Sequence, residues 1–170
     1  MKKILVVVLS LMFAASVFAF DRNESFVRWK GIASVITAPA VDNPVGSIHA
    51  GAGPWAIRGG RAHLDLVAGS VSFEVEGLVL DGGANSGTPG PVTAVVGTLV
   101  CNAGTQTEAI IDTDVVPIDV HGDAHFTGRL ENIPATCGNP LFLIRIAAPA
   151  GAAGRWIATG TERFIGEDGR

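Results

Sequence analysis

"RAHLDLVAGSVSFEVEG", Arg61 to Gly77, decides the fold class. Ala62, Leu64 and Leu66 alternate with Arg61, His63 and Asp65, and Val71, Phe73 and Val75 alternate with Ser72, Glu74 and Glu76. A period of two sends one set of side chains to a buried face and the other to water, the pattern of a half-buried strand. "VAGS" lies between the runs, with Gly69 free to turn, so the stretch is a β-hairpin.

The same signal continues on both sides. "VTAVVGTLVC" (Val92–Cys101) is apolar on both faces, as a central strand would be. "EAIID" (Glu108–Asp112), "IDVHGDAHFTGRLE" (Ile118–Glu131), "LFLIRIAA" (Leu141–Ala148) and "GRWIATG" (Gly154–Gly160) follow, and "FVRWKG" (Phe26–Gly31) and "PWAIR" (Pro54–Arg58) precede it. No window after Ala19 carries an apolar helical stripe. The glycines and prolines fall mostly between the runs, where turns need them. Short strands with such punctuation predict an all-β domain: an antiparallel β-sandwich of about eight or nine strands, with a closed or partly open β-barrel as the alternative.

The chain opens MKKILVVVLSLMFAASVFA. Lys2 and Lys3, an apolar run over Ile4–Ala15, and Val17 and Ala19 at the small-residue positions describe a signal peptide cleaved after Ala19. The run is shorter than the ~20 residues of a membrane span, and no later segment is long and apolar enough to span. The expected organisation is residues 1–19 as signal, 20–160 as one all-β domain and 161–170 as a polar, fraying tail. Without Lys2 and Lys3, ten basic residues face 16 acidic ones, a formal charge of −6. An acidic chain with no basic cluster argues against nucleic acid and anionic membrane surfaces as partners; an envelope or extracellular partner is compatible with it.

An exported chain with two cysteines forms one disulfide, Cys101–Cys137. Neither Cys belongs to a CxxC pair or stands at finger-like spacing from a His, so they are not expected to be metal ligands. Closing this loop is worth roughly 4 kcal/mol at most on the chain-entropy model.

"PWAIRGGRAHLDL", "VSFEVEGLVL", "GDAHFTGRL", "NPLFLIRIA" and "RWIATG", with a cysteine before and after "GDAHFTGRL", together resemble a group of small, exported, uncharacterised bacterial all-β proteins over about residues 45 to 160. The resemblance implies an exported all-β domain. The group has no assigned activity, so it carries over no functional residue.

"VHGDAHF" (Val120–Phe126) places His121, Asp123 and His125 at alternate positions, and His63 and Asp65 repeat H-x-D on another strand. Imidazoles and carboxylates on neighbouring strands would suit zinc or copper. Same-face positions on one strand stand about 7 Å apart, too far for three of them to surround one ion unaided. Val120, Ala124 and Phe126 are expected to face the core, which leaves these polar residues on a solvated face. The fourth histidine, His49, has no evident neighbour in the sequence.

The other candidate motifs are weak. "GAGPWAIRGG" lacks the phosphate-loop pattern, no G-x-S-x-G elbow is present, Glu74 and Glu76 sit on an outer face, and "DTD" (Asp112–Asp114) lacks the rest of a calcium loop. Trp55 and Trp156 are expected in the core, and Trp29, between Arg28 and Lys30, on the surface. The loops 37–46 and 81–91 are long and turn-rich. The expected function is therefore a non-enzymatic binding or structural module with no cofactor, and the alternative is a zinc- or copper-binding protein centred on His121, Asp123 and His125. Unreduced protein should show a linked Cys101–Cys137 peptide by mass spectrometry and no alkylatable thiol; two free thiols in exported protein would contradict the pairing.

Overall fold

The computed structural model describes residues 25–38, 41–147 and 152–166; the expected signal peptide lies outside them. Eleven strands and no helix are present among the described residues: β1 (Phe26–Ser34), β2 (Trp55–Ala56), β3 (Gly59–Asp65), β4 (Ser70–Glu76), β5 (Val79–Leu80), β6 (Ala94–Cys101), β7 (Ala109–Asp112), β8 (Val116–Pro117), β9 (Ala124–Arg129), β10 (Leu141–Ala147) and β11 (Ala153–Ile165). Nine form one sheet in the order β7-β6-β10-β11-β1-β3-β4-β9, with β8 also on β6, and every ladder is antiparallel. β2 and β5 form a small separate ladder.

The fold is thus the expected all-β antiparallel architecture, built as a single sheet curled until its two halves face each other. Four strands separate β4 from β6 in the hydrogen-bonded order. In a flat sheet the two would lie about 24 Å apart at the usual strand spacing. Instead, a Cβ built on Gly97 of β6 would come 2.7 Å from ring atoms of both Phe73 on β4 and Phe142 on β10. The enclosed core is aromatic at its centre. Ring centroids of Trp29 and Phe142 are 5.5 Å apart, Phe142 and Phe73 5.6 Å, and Phe73 and Phe126 5.8 Å. Around these rings pack Leu64, Leu78, Leu99, Leu143, Ile144 and Ile157, all essentially without exposed surface.

The hairpin that sets the fold class is present as read: β3 and β4 pair Ala62 with Phe73 and Leu64 with Val71, and Gly69 turns with φ 72°. β6 is buried along nearly its whole length. Cys101 and Cys137 are bonded, with Cα atoms 4.8 Å apart. The bond has a positional role. The chain leaves β9 at one edge of the sheet and must travel to β10, beside β6. Cys137 pins that connection to the end of β6, and Asn102 secures it further, donating from its N–H to the Gly138 carbonyl (2.9 Å) and accepting the Gly138 N–H at its side chain (3.0 Å).

Three expectations fail. Trp29 is 1 % exposed, at the centre of the core. Strand geometry gives the reason: its neighbours Arg28 and Lys30 point to the opposite face, so charged flanks mark a buried position. The expected polar tail is not a tail up to Ile165. β11 runs through it and pairs with the first half of β1, Val27 opposite Ile165 and Arg28 opposite Phe164. From Glu162 to Ile165 its side chains are exposed, so the pairing there, which is made by backbone, left no buried face to read. Finally, the long alternating run 118–131 is strand only from Ala124; Val120 lies in a turn and is 74 % exposed.

Gly97→Ala should cost about 1–3 kcal/mol in urea unfolding, because the methyl group must displace two rings held by the core. Combining it with Phe73→Leu should recover part of that loss relative to additivity. A neutral Gly97→Ala would mean that the two halves of the sheet do not meet there.

Candidate functional site

The sheet curls but its edges do not join. β9 ends one side, β7 and β8 end the other, and among the described residues no ladder links them. The opening between them is the seam. At one end of it lies a cleft of ≈ 650 Å³ lined by Arg58, Glu74, Glu76, Asp119, Asp123 and His125 among others. At the other end lies one of ≈ 560 Å³ bounded by Ile110, Asp112 and Asp114 on the β7 side and Arg129, Glu131 and Asn132 on the β9 side. β7 and β8 are a single run against β6, interrupted at Thr113–Val115. There the Thr113 N–H donates to the Gly97 carbonyl (2.8 Å) and the Thr113 hydroxyl accepts from the Gly97 N–H (3.0 Å).

"VHGDAHF" lies at the first cleft, and its central residues form a turn. Asp119 closes that turn: its carboxylate accepts the N–H groups of His121 (2.8 Å) and Asp123 (2.9 Å), and its own N–H donates to the Asp123 carbonyl (3.0 Å). These bonds, the one from Asp123 foremost, hold the Asp119 carboxyl below its ordinary pKa. Gly122 has φ 83°, and a Cβ there would lie 2.5 Å from the Leu78 carbonyl oxygen, so this position requires glycine. The Leu78 N–H donates to the Gly122 carbonyl at 2.8 Å. Asp123 then ties the turn to the β4–β5 corner: its Oδ1 accepts from the Gly77 N–H (2.7 Å) and from Arg58 Nη2 (3.0 Å).

The turn separates the residues that the sequence placed on one face. His125 lines the ≈ 650 Å³ cleft; His121 lines a neighbouring hollow with Arg58, Gly77, Val79 and Gly87; Asp123 lies between the two with both Oδ1 partners engaged. His63 sits two residues along the sheet from His125, in the row Arg28–His63–Ser72–Thr127, whereas His125 belongs to the row Arg61–Glu74–His125. Asp65 caps the β3–β4 turn through the N–H groups of Val67 (2.8 Å) and Ala68 (2.9 Å). Among the described residues, no three His, Cys, Asp or Glu side chains are grouped as a metal site requires.

Other carboxylates are likewise committed. Glu108 accepts from the Gly104 N–H and from the Ser47 hydroxyl and N–H, which lowers its pKa and ties the 42–50 loop to the β6–β7 loop. Asp42 is lowered chiefly by its hydrogen bond with His49. Glu74 pairs with Arg61 at 2.9 Å. The buried Arg145 spends its donors on Asp112 (3.2 Å) and on the carbonyls of Ala153 and Gly154 (2.8 Å each). Sequence reasoning missed Arg145, although a lone Arg inside "LFLIRIAA" was the available signal. It also missed Arg58 and Asp119, whose roles depend on a turn it read as strand. Compared with protein-family models, curated proteins and solved structures, the chain matches none.

Asp123→Ala, which leaves the Gly77 N–H without its partner, should destabilise by about 1–2 kcal/mol. His121→Gln and His125→Gln should each stay within about 0.5 kcal/mol. The lowered carboxyls of Asp119, Glu108 and Asp42 contribute stability that is complete above the ordinary carboxylate range near pH 4 and is lost as pH falls below it. Asp119→Asn should therefore flatten the acid limb of a stability–pH curve and leave its shape above neutrality unchanged. A stability loss centred between pH 6 and 7 would contradict this assignment.

Proposed function

We propose that this chain is an exported, non-enzymatic binding module of the cell envelope or exterior, like the group of small all-β proteins it resembles, and that it binds along the seam. The observation that carries this reading is the pairing of a hydrogen-bonded scaffold with an open cleft in which three of the carboxylates are already used, while Glu76 and His125 line it exposed. Asp119, Asp123 and Glu74 hold the turn, the corner and the sheet face, and a carboxylate held by backbone N–H groups and a guanidinium is a positioned wall rather than a poised acid or base. Clefts of this size on such scaffolds suit recognition. Export is supported by the basic, then apolar, then small-residue order of residues 1–19 and by the disulfide, since such bonds persist in oxidising compartments. Among the described residues, no helix is long and apolar enough to cross a membrane.

Expressed with its full N-terminus, the protein should be recovered from the periplasm or medium beginning at Phe20, with no stoichiometric zinc or copper by elemental analysis. Retention in the cytosol at full length would overturn export. One equivalent of metal, lost on His121→Gln with His125→Gln, would replace the reading with the metal-binding one.

A further inference from the structure

Among the described residues, the seam is bounded on both sides by backbone that no strand satisfies. In an antiparallel ladder, alternate residues direct their N–H and C=O groups to the partner and the rest direct them away. The Leu130 N–H donates to the Gly69 carbonyl, so on β9 the residues in step with Leu130, namely Gly128, Phe126 and Ala124, bond β4. His125, Thr127 and Arg129 then direct their backbone groups into the seam. Asp123, next in that series, confirms the phase, because its backbone groups do point there and are taken by Asp119. Beyond Asp123 no backbone partner continues the ladder among the described residues. The opposite wall behaves in the same way. The Thr113 N–H donates to the Gly97 carbonyl, which puts Ile111 in step with the ladder to β6 and turns the backbone groups of Ile110 and Asp112 towards the seam.

We propose that the seam, along its β7–β9 stretch and not at the β8 end where the two walls already come within 8 Å, accepts one extended strand from a partner protein, and that this strand carries basic residues at alternate positions. The proposal rests on the binding-module reading and names the class of partner. Two edges with outward-directed N–H and C=O groups recognise extended backbone by strand addition. The charge follows from the residues at the two ends. Asp114 and Glu131 flank one end and Glu76 and Asp119 the other, all solvent-exposed. The cations nearby are already engaged, although Arg58 and Arg129 still line the two clefts: Arg58 is on Asp123, Arg145 on Asp112, and Arg129 donates to the Ala68 carbonyl. The inward positions of an added strand would meet Phe126 and Ile111, which is apolar surface; the Phe126 ring already fills the space over Gly128. An alternation of basic and aliphatic residues therefore fits both faces.

The test uses the mature, disulfide-bonded protein and a short blocked peptide alternating Lys and Val, with amide hydrogen exchange followed residue by residue by NMR. In the free protein the amides of His125, Thr127, Arg129, Ile110 and Asp112 should exchange quickly. Saturating peptide should slow them by about tenfold or more, while amides of β1 and β11 stay unchanged. A peptide with Glu in place of Lys, and one N-methylated at alternate residues, should fail to protect them. Asp114→Lys with Glu131→Lys, both exposed and outside any ladder, should weaken the Lys peptide and leave the melting temperature in place. Slow exchange at these amides without peptide would show the seam already closed and overturn the proposal. So would the absence of protection by the Lys–Val peptide, or equal binding of the Glu or N-methylated peptide. Each of these failures leaves the localisation and metal content of the preceding test unaffected, so the two readings fall separately.

Discussion

Phe142 is reached from both halves of the molecule. Trp29, two strands away along the sheet, packs on it, and so does Phe73 from the far side of the curl. The rest of the structure depends on that meeting. A sheet of nine strands with one apolar face must bury that face, and among the described residues there is no helix to cover it. The sheet covers itself. Right-handed twist provides the curvature, and the absence of a side chain at Gly97 allows β6 to approach the two rings. A larger residue there would hold the halves apart.

Curling leaves the ends and the seam to be managed. The ends are tied by carboxylates accepting backbone N–H groups: Asp119 and Asp123 at the β8–β9 turn, Asp65 at the β3–β4 turn, Glu108 between two loops. The disulfide holds the one connection that must travel from the last strand back to the middle of the sheet. These ties are short-range and polar, and they explain how a chain whose curled sheet is not closed by a ladder keeps a defined shape at its rims. The seam stays unpaired because β7 and β8 break at Thr113–Val115 and because Pro117 has no N–H to offer β9.

Much of the fold was legible because alternation is a local signal. The β3–β4 hairpin, the central character of β6 and the bounds of β10 follow from which side chains can share a face. What was not legible depended on partners distant in sequence. The strand at Thr161–Ile165 exists because β1 needs a neighbour there. The turn at Gly122 exists because the backbone of Leu78 lies against it. That turn also decided the candidate site. His121, Asp123 and His125 share one face only if the stretch is a strand, and once Gly122 turns the chain the two histidines line different hollows, with the Arg58–Asp123 pair between them. The burial of Trp29 was readable in principle, since charged residues on both sides of it in a strand turn it inward.

The most direct measurement of the account is the proton environment of Gly97 in solution. If β4 and β10 close over β6, the Gly97 Hα resonances will be displaced by ring currents, and nuclear Overhauser contacts will join them to the ring protons of both Phe73 and Phe142. Contacts to Phe142 alone, with Phe73 absent and Gly97 at ordinary glycine shifts, would mean a sheet that does not curl onto itself, and both the core and the seam described here would be wrong.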